Sequence, residues 1–176
     1  MLYVIVCLIN DEPHKFHDSL VNDVCKIYNA KRQRLQSHFT IKAPFETDNI
    51  GEVEVLLENF SKAYGKSPFI MEDYGHFADR VVYMNIKPSK EMIETCRDFL
   101  LELRNISWLS WKHIEKGVPE FHCTIVSKLP NGKFEEIWPF LIKHPFKFQC
   151  FFDNITIMRW DKDKWILHKS YLLNDK

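Results

Sequence analysis

The 176-residue chain predicts a mixed fold of strands and helices built as a pseudo-symmetric duplication, with two similar halves meeting at a shared cleft. Three observations predict it. The order strand, helix, His-x-Thr strand occurs twice: Leu2 to Val6 leads through a helix to His38-Phe39-Thr40, and Val82 to Ile86 leads through a helix to His122-Cys123-Thr124. The spacing is nearly constant, since Leu2 and Val82 are 80 residues apart and His38 and His122 are 84 apart, which is the mark of an internal repeat. The third is composition. With 45% hydrophobic and 14% aromatic residues, a chain of this length can bury one substantial core but is too short for two large domains.

The elements follow in order. Leu2 to Ile9 is an apolar run that reads as a buried strand, closed by Asn10-Asp11-Glu12-Pro13. Glu12-Pro13 opens a helix, because Pro suits a first turn. Phe16, Leu20, Val24 and Tyr28 recur every four residues along its inner face, and the run Lys31-Arg32-Gln33-Arg34 ends it. The strand holding His38 and Thr40 follows, with Pro44 as its stop. Thr47-Asp48 caps a second helix with Val53, Leu56, Leu57, Phe60 and Tyr64 inward and Gly65 at its end. Pro68 to Phe77 and Arg80 to Ile86 read as two strands joined at Ala78-Asp79. Pro88-Ser89 starts a helix with the stripe Met92, Ile93, Cys96, Phe99, Leu100 and Leu103. A loop rich in Trp, Lys and His runs from Ser107 to Pro119, before the second motif strand from Phe121 to Ser127. Asn131-Gly132 turns into a short helix from Phe134 to Ile142, where Pro139 is awkward. Phe146 to Trp160 and Lys164 to Leu173 are the last strands, a hairpin over Asp161-Lys162-Asp163.

Alternate residues of a strand share a face, so the His and Thr of each triplet point the same way. Imidazole moves protons near neutral pH, and a Thr hydroxyl donates to a phosphate oxygen. Two such pairs facing one another make a metal-free site for phosphodiester chemistry. Lys42, two residues after Thr40, is the candidate cation on the same face, with Lys128 and Arg80 as further candidates. Tyr74 and Phe77 are candidates to stack on a base, and His76 reads as a polar hairpin residue. Trp108, Trp111, Lys112 and His113 form an aromatic and basic loop ahead of the second motif. His14, His17, His144 and His168 read as surface or packing residues without metal-ligand spacing.

Charge and cysteines narrow the classes. Lys plus Arg equals Asp plus Glu at 24 each, which lacks the basic surplus of a protein that coats long nucleic acid. The balance favours a small nucleotide or an RNA end as partner, with no stable DNA binding. Five cysteines at 7, 25, 96, 123 and 150 give an odd count without CxxC spacing, so neither a disulfide framework nor a zinc cluster is expected. Cys123 alternates away from the His122 face and is a poor candidate nucleophile. The apolar start has no basic region before it and no small-residue cleavage site, and no run reaches membrane-spanning length. The expectation is a cytoplasmic monomer without a membrane partner.

The two triplets resemble the paired His-x-Thr motifs of the two-histidine (2H) phosphoesterase superfamily, the 2′-5′ RNA ligase-like group. HFTIKAPF at His38 to Phe45 is similar to its first motif with flank and FHCTIV at Phe121 to Val126 to its second. Tyr74-Gly75-His76-Phe77 followed by Val81-Val82-Tyr83 is similar to the strand pair between the motifs, and Trp138, Ile157-Met158-Arg159 and Trp165 to Leu172 fit the closing order. The resemblance covers essentially the whole chain. It implies an α+β, bilobal fold with two antiparallel sheets flanking a central cleft and helices packed outside, as one 2H phosphoesterase-like domain over 1–176 built from two intertwined lobes. It implies hydrolysis of cyclic phosphodiesters, such as the 2′,3′-cyclic phosphate of RNA ends or small nucleotides, with His38, Thr40, His122 and Thr124 as catalytic residues and no metal or other cofactor. Many relatives carry Arg three residues after the second Thr. Here that position is Ser127, with Lys128 next, so the resemblance supplies no phosphate clamp.

Hydrolysis needs one His as base and one as acid, and His122 is assigned here as base and His38 as acid. The competing expectations are a nucleotide- or RNA-end-binding module with little turnover, and 2′-5′ ligation by the same groups in reverse.

Overall fold

The computed structural model describes residues 1–112, 115 and 117–175. Its elements run β1 (Leu2–Leu8), α1 (Asp11–Tyr28), β2 (His38–Glu46), α2 (Ile50–Ala63), β3 (Ser67–Phe77), β4 (Val81–Pro88), α3 (Lys90–Leu103), β5 (His122–Ser127), α4 (Lys133–Leu141), β6 (Lys147–Phe152), β7 (Asn154–Asp161) and β8 (Lys164–Leu172). They form two antiparallel four-stranded sheets, ordered β2-β1-β7-β8 and β5-β4-β3-β6. The units β1-α1-β2 and β4-α3-β5 therefore occupy equivalent places, each ending in a His-x-Thr strand at a sheet edge. This is the α+β duplication the sequence predicts.

Several elements differ from the sequence reading. β2 runs through Pro44 to Glu46, because on an edge strand a Pro can turn its missing N–H away from the ladder. Phe146 to Trp160 is not one strand. It breaks at Asp153 into β6, which pairs with β3, and β7, which pairs with β1, so one apolar run serves both sheets. α1 ends at Tyr28, with Asn29 in the left-handed region, and residues 30–37 form a connecting loop. α4 accommodates Pro139 internally, at the loss of one backbone hydrogen bond. Ile93 is exposed rather than part of the α3 stripe.

One main core joins Tyr3, Ile5, Cys7, Phe39, Ile155 and Ile157 of the first sheet to Met71, Val82, Met84, Cys123 and Ile125 of the second, with the inward stripes of the helices. Its junction is Phe39, fully buried between His38 and Thr40 along the chain. The ring makes edge contacts with Phe69, Phe121 and Phe152 at centroid distances of 5.7, 5.2 and 5.7 Å, all from the opposite half. β2 and β5 thus lie side by side through packed rings although they belong to different sheets.

Phe39→Ala is expected to destabilise the protein by about 3–5 kcal/mol, the range for a buried Phe truncated in a core that cannot collapse. Urea denaturation checks this, and a loss under about 1 kcal/mol contradicts the central place given to this ring.

Candidate active site

Strand register sets the direction of both motifs. His38 pairs with Leu8 and Thr40 with Val6. Val4, Val6 and Met158 form a small buried cluster of their own, with Leu8, Leu35 and Trp165 packed on it, apart from the main core. Residues paired across two strands share a face, so His38 and Thr40 project from this second face while Phe39 points into the core. In the other sheet His122 pairs with Asn85 and Thr124 with Tyr83, while Cys123 pairs with core Met84. With β2 and β5 packed together, the two His-Thr pairs come to the same seam between the sheets. The two imidazoles are close enough that charge on His122 opposes protonation of His38.

The two histidines are held alike. Nδ1 of His38 bonds the Gln36 carbonyl at 2.6 Å and Nδ1 of His122 bonds the Glu120 carbonyl at 2.7 Å. A carbonyl only accepts, so Nδ1 carries the proton in both rings and Nε2 is the nitrogen free to exchange one. Both rings are half-buried. Among the described residues neither Nε2 nor either Thr hydroxyl has a protein partner, so all four groups are available to a ligand.

Their surroundings differ. His38 sits against packed protein, and burial pulls its imidazole down from the usual value near 6.5 to about 4; the Gln36 carbonyl opposes the shift, and His17 and His122 add to it. His122 is framed by rings: Phe77 lies edge-on at 4.9 Å and Tyr83 at 5.0 Å. Gly75 makes that frame possible, because a Cβ there would fall 2.5 Å from the Tyr83 ring and 2.7 Å from Asn85 Oδ1. The Tyr74-Gly75-His76-Phe77 segment is therefore a site element through Gly75 and Phe77.

Helix α1 braces both motif strands. His17, buried, donates from Nε2 to the Thr124 carbonyl at 2.9 Å. Ser37 donates to the Ile9 carbonyl at 3.0 Å and accepts from His14 Nδ1 at 2.7 Å. Asn154 binds both backbone groups of Leu8, the partner of His38, at 2.9 Å. In sequence His14 and His17 read as surface or packing residues; the structure makes them braces of the site. His17 lies three residues past His14 on one helix, a spacing that faces two side chains the same way, and that spacing is the signal the sequence holds for them. Tyr83, which the sequence reading does not place in the site, alternates with core residues Val82 and Met84, and that alternation is its signal.

The predicted substrate-binding residues fare differently. Lys42 is not a free cation beside Thr40. A register shift in the β1–β2 pairing between Val6–Thr40 and Ile5–Lys42 breaks the alternation, and the side chain is 1% exposed. Its Nζ donates to both Glu115 carboxylate oxygens at 3.1 Å and lies 4.8 Å from the Trp111 ring centre. Burial lowers the ammonium's affinity for protons while Glu115 raises it. Glu115 also accepts from Ala43 N at 2.9 Å and Lys112 N at 2.7 Å, and Arg104 stacks on Trp111 at 4.1 Å. This network ties the loop before the second motif to the end of the first motif strand. Tyr74 is also not a base platform: a register shift after Met71 turns it to the core side opposite Met84, where its hydroxyl donates to the His144 carbonyl at 2.6 Å and its ring packs on Phe146. Lys128 is exposed just beyond β5, on the side where Gln33 reaches Ser127 Oγ at 3.1 Å, and Arg80 lies in the β3–β4 turn. Trp108 is held by Glu52 at 2.6 Å, and His113 lies outside the described residues. His76 bonds the Ala78 carbonyl and packs on Phe134 and Trp138, as a hairpin residue.

Burial pushes the Cys123 thiol up to about 12, which disfavours the thiolate a nucleophile needs. Among the described residues no group of three or more His, Cys, Asp or Glu converges in a metal-holding arrangement, and no helix is long and apolar enough to cross a membrane.

Comparison with known proteins shows what the chain as a whole is similar to. The family model described as the 2′-5′ RNA ligase superfamily matches residues 10–164. A protein of Geobacillus sp. (strain WCH70) named "Putative phosphoesterase" is 22% identical over 169 residues, covering 93% of this chain and 94% of its own length. A Staphylococcus aureus (strain JH1) protein also named "Putative phosphoesterase" is 24% identical over 174 residues, covering 92% of this chain and 95% of its own length. Among solved structures, TT0787 of Thermus thermophilus aligns with TM-score 0.63 at 12% identity over 98% of both chains. E. coli LigT complexed with 3′-AMP aligns with TM-score 0.63 at 11% identity over 98% of this chain and 97% of its own, and the LigT complex with NADP+ with TM-score 0.60 at 12% identity over 97% and 96%. At these identities the structures show a shared fold.

Two outcomes follow from the site's electrostatics and packing. A folded pKa for His38 below the unfolded value means that the unfolded chain binds more protons between about 6.5 and 4. The stabilisation is complete above about 6.5 and is lost as pH falls toward 4. NMR titration is expected to show one imidazole titrating near 4 that disappears in His38→Asn, and that variant is expected to lose less stability between pH 7 and 5 than the wild type. Lys42→Ala is expected to lower stability measurably, because it strands the Glu115 carboxylate. An unchanged melting temperature contradicts the pair's structural role.

Proposed function

This chain belongs to the 2′-5′ RNA ligase superfamily, and on that premise we propose that it is a metal-independent phosphoesterase hydrolysing cyclic phosphodiesters, with the 2′,3′-cyclic phosphate of an RNA end or small nucleotide as substrate class. One observation carries the reading. Two imidazoles on two strands packed side by side, from two different sheets, each lock Nδ1–H onto a carbonyl two residues upstream, keep Nε2 free of any partner among the described residues, and share a strand face with a Thr two residues on.

The chemistry divides between them. Water attacks phosphorus in line with the departing ribose oxygen. One neutral Nε2 accepts the water proton, and the other, protonated, gives a proton to the leaving oxygen as the ring P–O bond breaks. The product is a phosphate monoester on one ribose hydroxyl. Each such proton transfer is worth roughly 10²–10⁴ in rate. The Thr40 and Thr124 hydroxyls donate to the non-bridging oxygens, where charge builds in the transition state. The depressed pKa of His38 favours the reverse of the role assignment made from sequence: an imidazole that is neutral at pH 7 suits the base, which leaves the acid to His122. The proximity of the two rings supports opposite protonation states, since one charge discourages the second.

The LigT complexes with 3′-AMP and NADP+ support a nucleotide-sized ligand for a fold of this shape. A pure binding module has no need of two tautomer-locked histidines, which favours turnover over storage.

Steady-state kinetics on a nucleoside 2′,3′-cyclic phosphate, with EDTA present throughout, test the proposal. His38→Ala and His122→Ala are each expected to lower kcat by roughly 10²-fold or more with the circular dichroism spectrum unchanged. Thr40→Ala and Thr124→Ala are expected to cost less, since each removes one hydrogen bond and leaves proton transfer in place. The double His variant is expected to be barely slower than either single one, because acid and base serve one transition state. Near-wild-type kcat in either single His variant sinks the mechanism.

A further inference from the structure

The face of the first sheet that carries His38 and Thr40 also carries an aromatic feature that the proton-transfer chemistry does not use. Trp160 and Trp165 pair directly across β7 and β8, with ring centres 5.2 Å apart and planes at 73°. Trp165 packs on the Val4–Val6–Met158 cluster, and Trp160 lies two residues beyond Met158 on the same strand, so both share the face of His38 and Thr40. Arg34 places its guanidinium 5.4 Å from the Trp160 ring centre. It comes from the 30–37 loop, which seats Leu35 on that cluster and bonds Trp165 N to the Arg34 carbonyl at 3.4 Å. Arg34 is exposed and has no carboxylate partner among the described residues. By contrast Arg32 on the same loop is paired with Asp18, Lys42 is buried on Glu115 and Arg104 is held on Trp111.

An unpaired guanidinium over a half-buried indole is a surface suited to a nucleobase and its phosphate: the π-faces accept a base of any identity, and the cation meets the backbone anion. Its place in the sheet sets which base. Thr40, Val6 and Thr156 lie in one row across β2, β1 and β7, and Trp160 is four residues further along β7. That is about 13 Å along the strand and about 10 Å across two strand spacings. The separation exceeds the reach from a phosphate to the base of its own nucleotide and calls for a second nucleotide.

We infer that Arg34, Trp160 and Trp165 form a stacking subsite for the base adjacent to the nucleotide whose phosphodiester sits at the histidines, so that the preferred ligand is the end of a single-stranded RNA rather than a mononucleotide. The inference rests on the proposed function for the identity of the cleft, but it is read by binding alone. Isothermal titration calorimetry compares a nucleoside 3′-monophosphate with di- and triribonucleotides ending in a 3′-phosphate. The oligonucleotides are expected to bind roughly fivefold or more tightly, the lower end for one stacked base. Trp160→Leu is expected to erase that advantage while leaving mononucleotide affinity within twofold. Arg34→Gln, an exposed change that leaves the Trp pair packed, is expected to reduce the advantage and flatten its salt dependence. Equal affinity for mono- and oligonucleotides in the wild type overturns the subsite, as does a Trp160→Leu effect of the same size on every ligand or no binding of either. Lack of turnover with intact oligonucleotide preference would instead overturn the hydrolytic reading and leave the subsite standing.

Discussion

The architecture depends on one packing constraint: the ring of Phe39, between the two motif residues of β2, must fill the space offered by Phe69, Phe121 and Phe152 of the other half. Among the described residues no ladder of backbone bonds joins the sheets at this seam. Close-packed rings do it, and close packing tolerates little displacement. Because strand residues alternate, burying Phe39 obliges His38 and Thr40 to face the other way. In β5, burying Cys123 does the same for His122 and Thr124. The apolar residues at the centres of the motifs thus aim the polar ones.

Around that seam the polar groups hold the geometry without competing for the ligand. Backbone carbonyls of Gln36 and Glu120 fix the two tautomers, His17 fastens the Thr124 carbonyl, and the Lys42–Glu115 pair secures the loop that leads into the second motif. The Lys42 network commits its charge to structure. The proposed anionic substrate must then find positive charge elsewhere, and Arg34 and Lys128 are exposed without a carboxylate partner among the described residues. The duplication is symmetric in topology but not in environment. Burial depresses the first His below its ordinary range, while rings supported by Gly75 frame the second. Two copies of one motif thus acquire different surroundings, which is what the proposed acid and base roles call for.

The duplication is legible in sequence because it rests on local, periodic signals: apolar strands, four-residue stripes, and a triplet repeated at nearly constant spacing. The facing of each His-Thr pair is legible for the same reason. What does not show are properties set across the chain. The Phe146–Trp160 run reads as one strand, and only the fold divides it between two sheets at Asp153. Lys42 and Tyr74 follow the alternation rule on paper, but a register shift beside each one sends it inward. His17 looks like any helix His until its partner, 107 residues away, is known. Properties that depend on burial, such as the lowered proton affinity of His38, have no expression in residue order.

The central claim is that the two histidines meeting at this seam act as one acid–base pair on a cyclic phosphodiester. Phosphorus NMR of a nucleoside 2′,3′-cyclic phosphate incubated with the wild-type protein and EDTA tests it most directly. The account predicts that the cyclic resonance is replaced by a phosphate monoester signal, and that the conversion vanishes with the His38→Ala, His122→Ala double variant. A cyclic resonance that persists with folded wild-type protein across a panel of bases, or conversion that survives in the double variant, contradicts it.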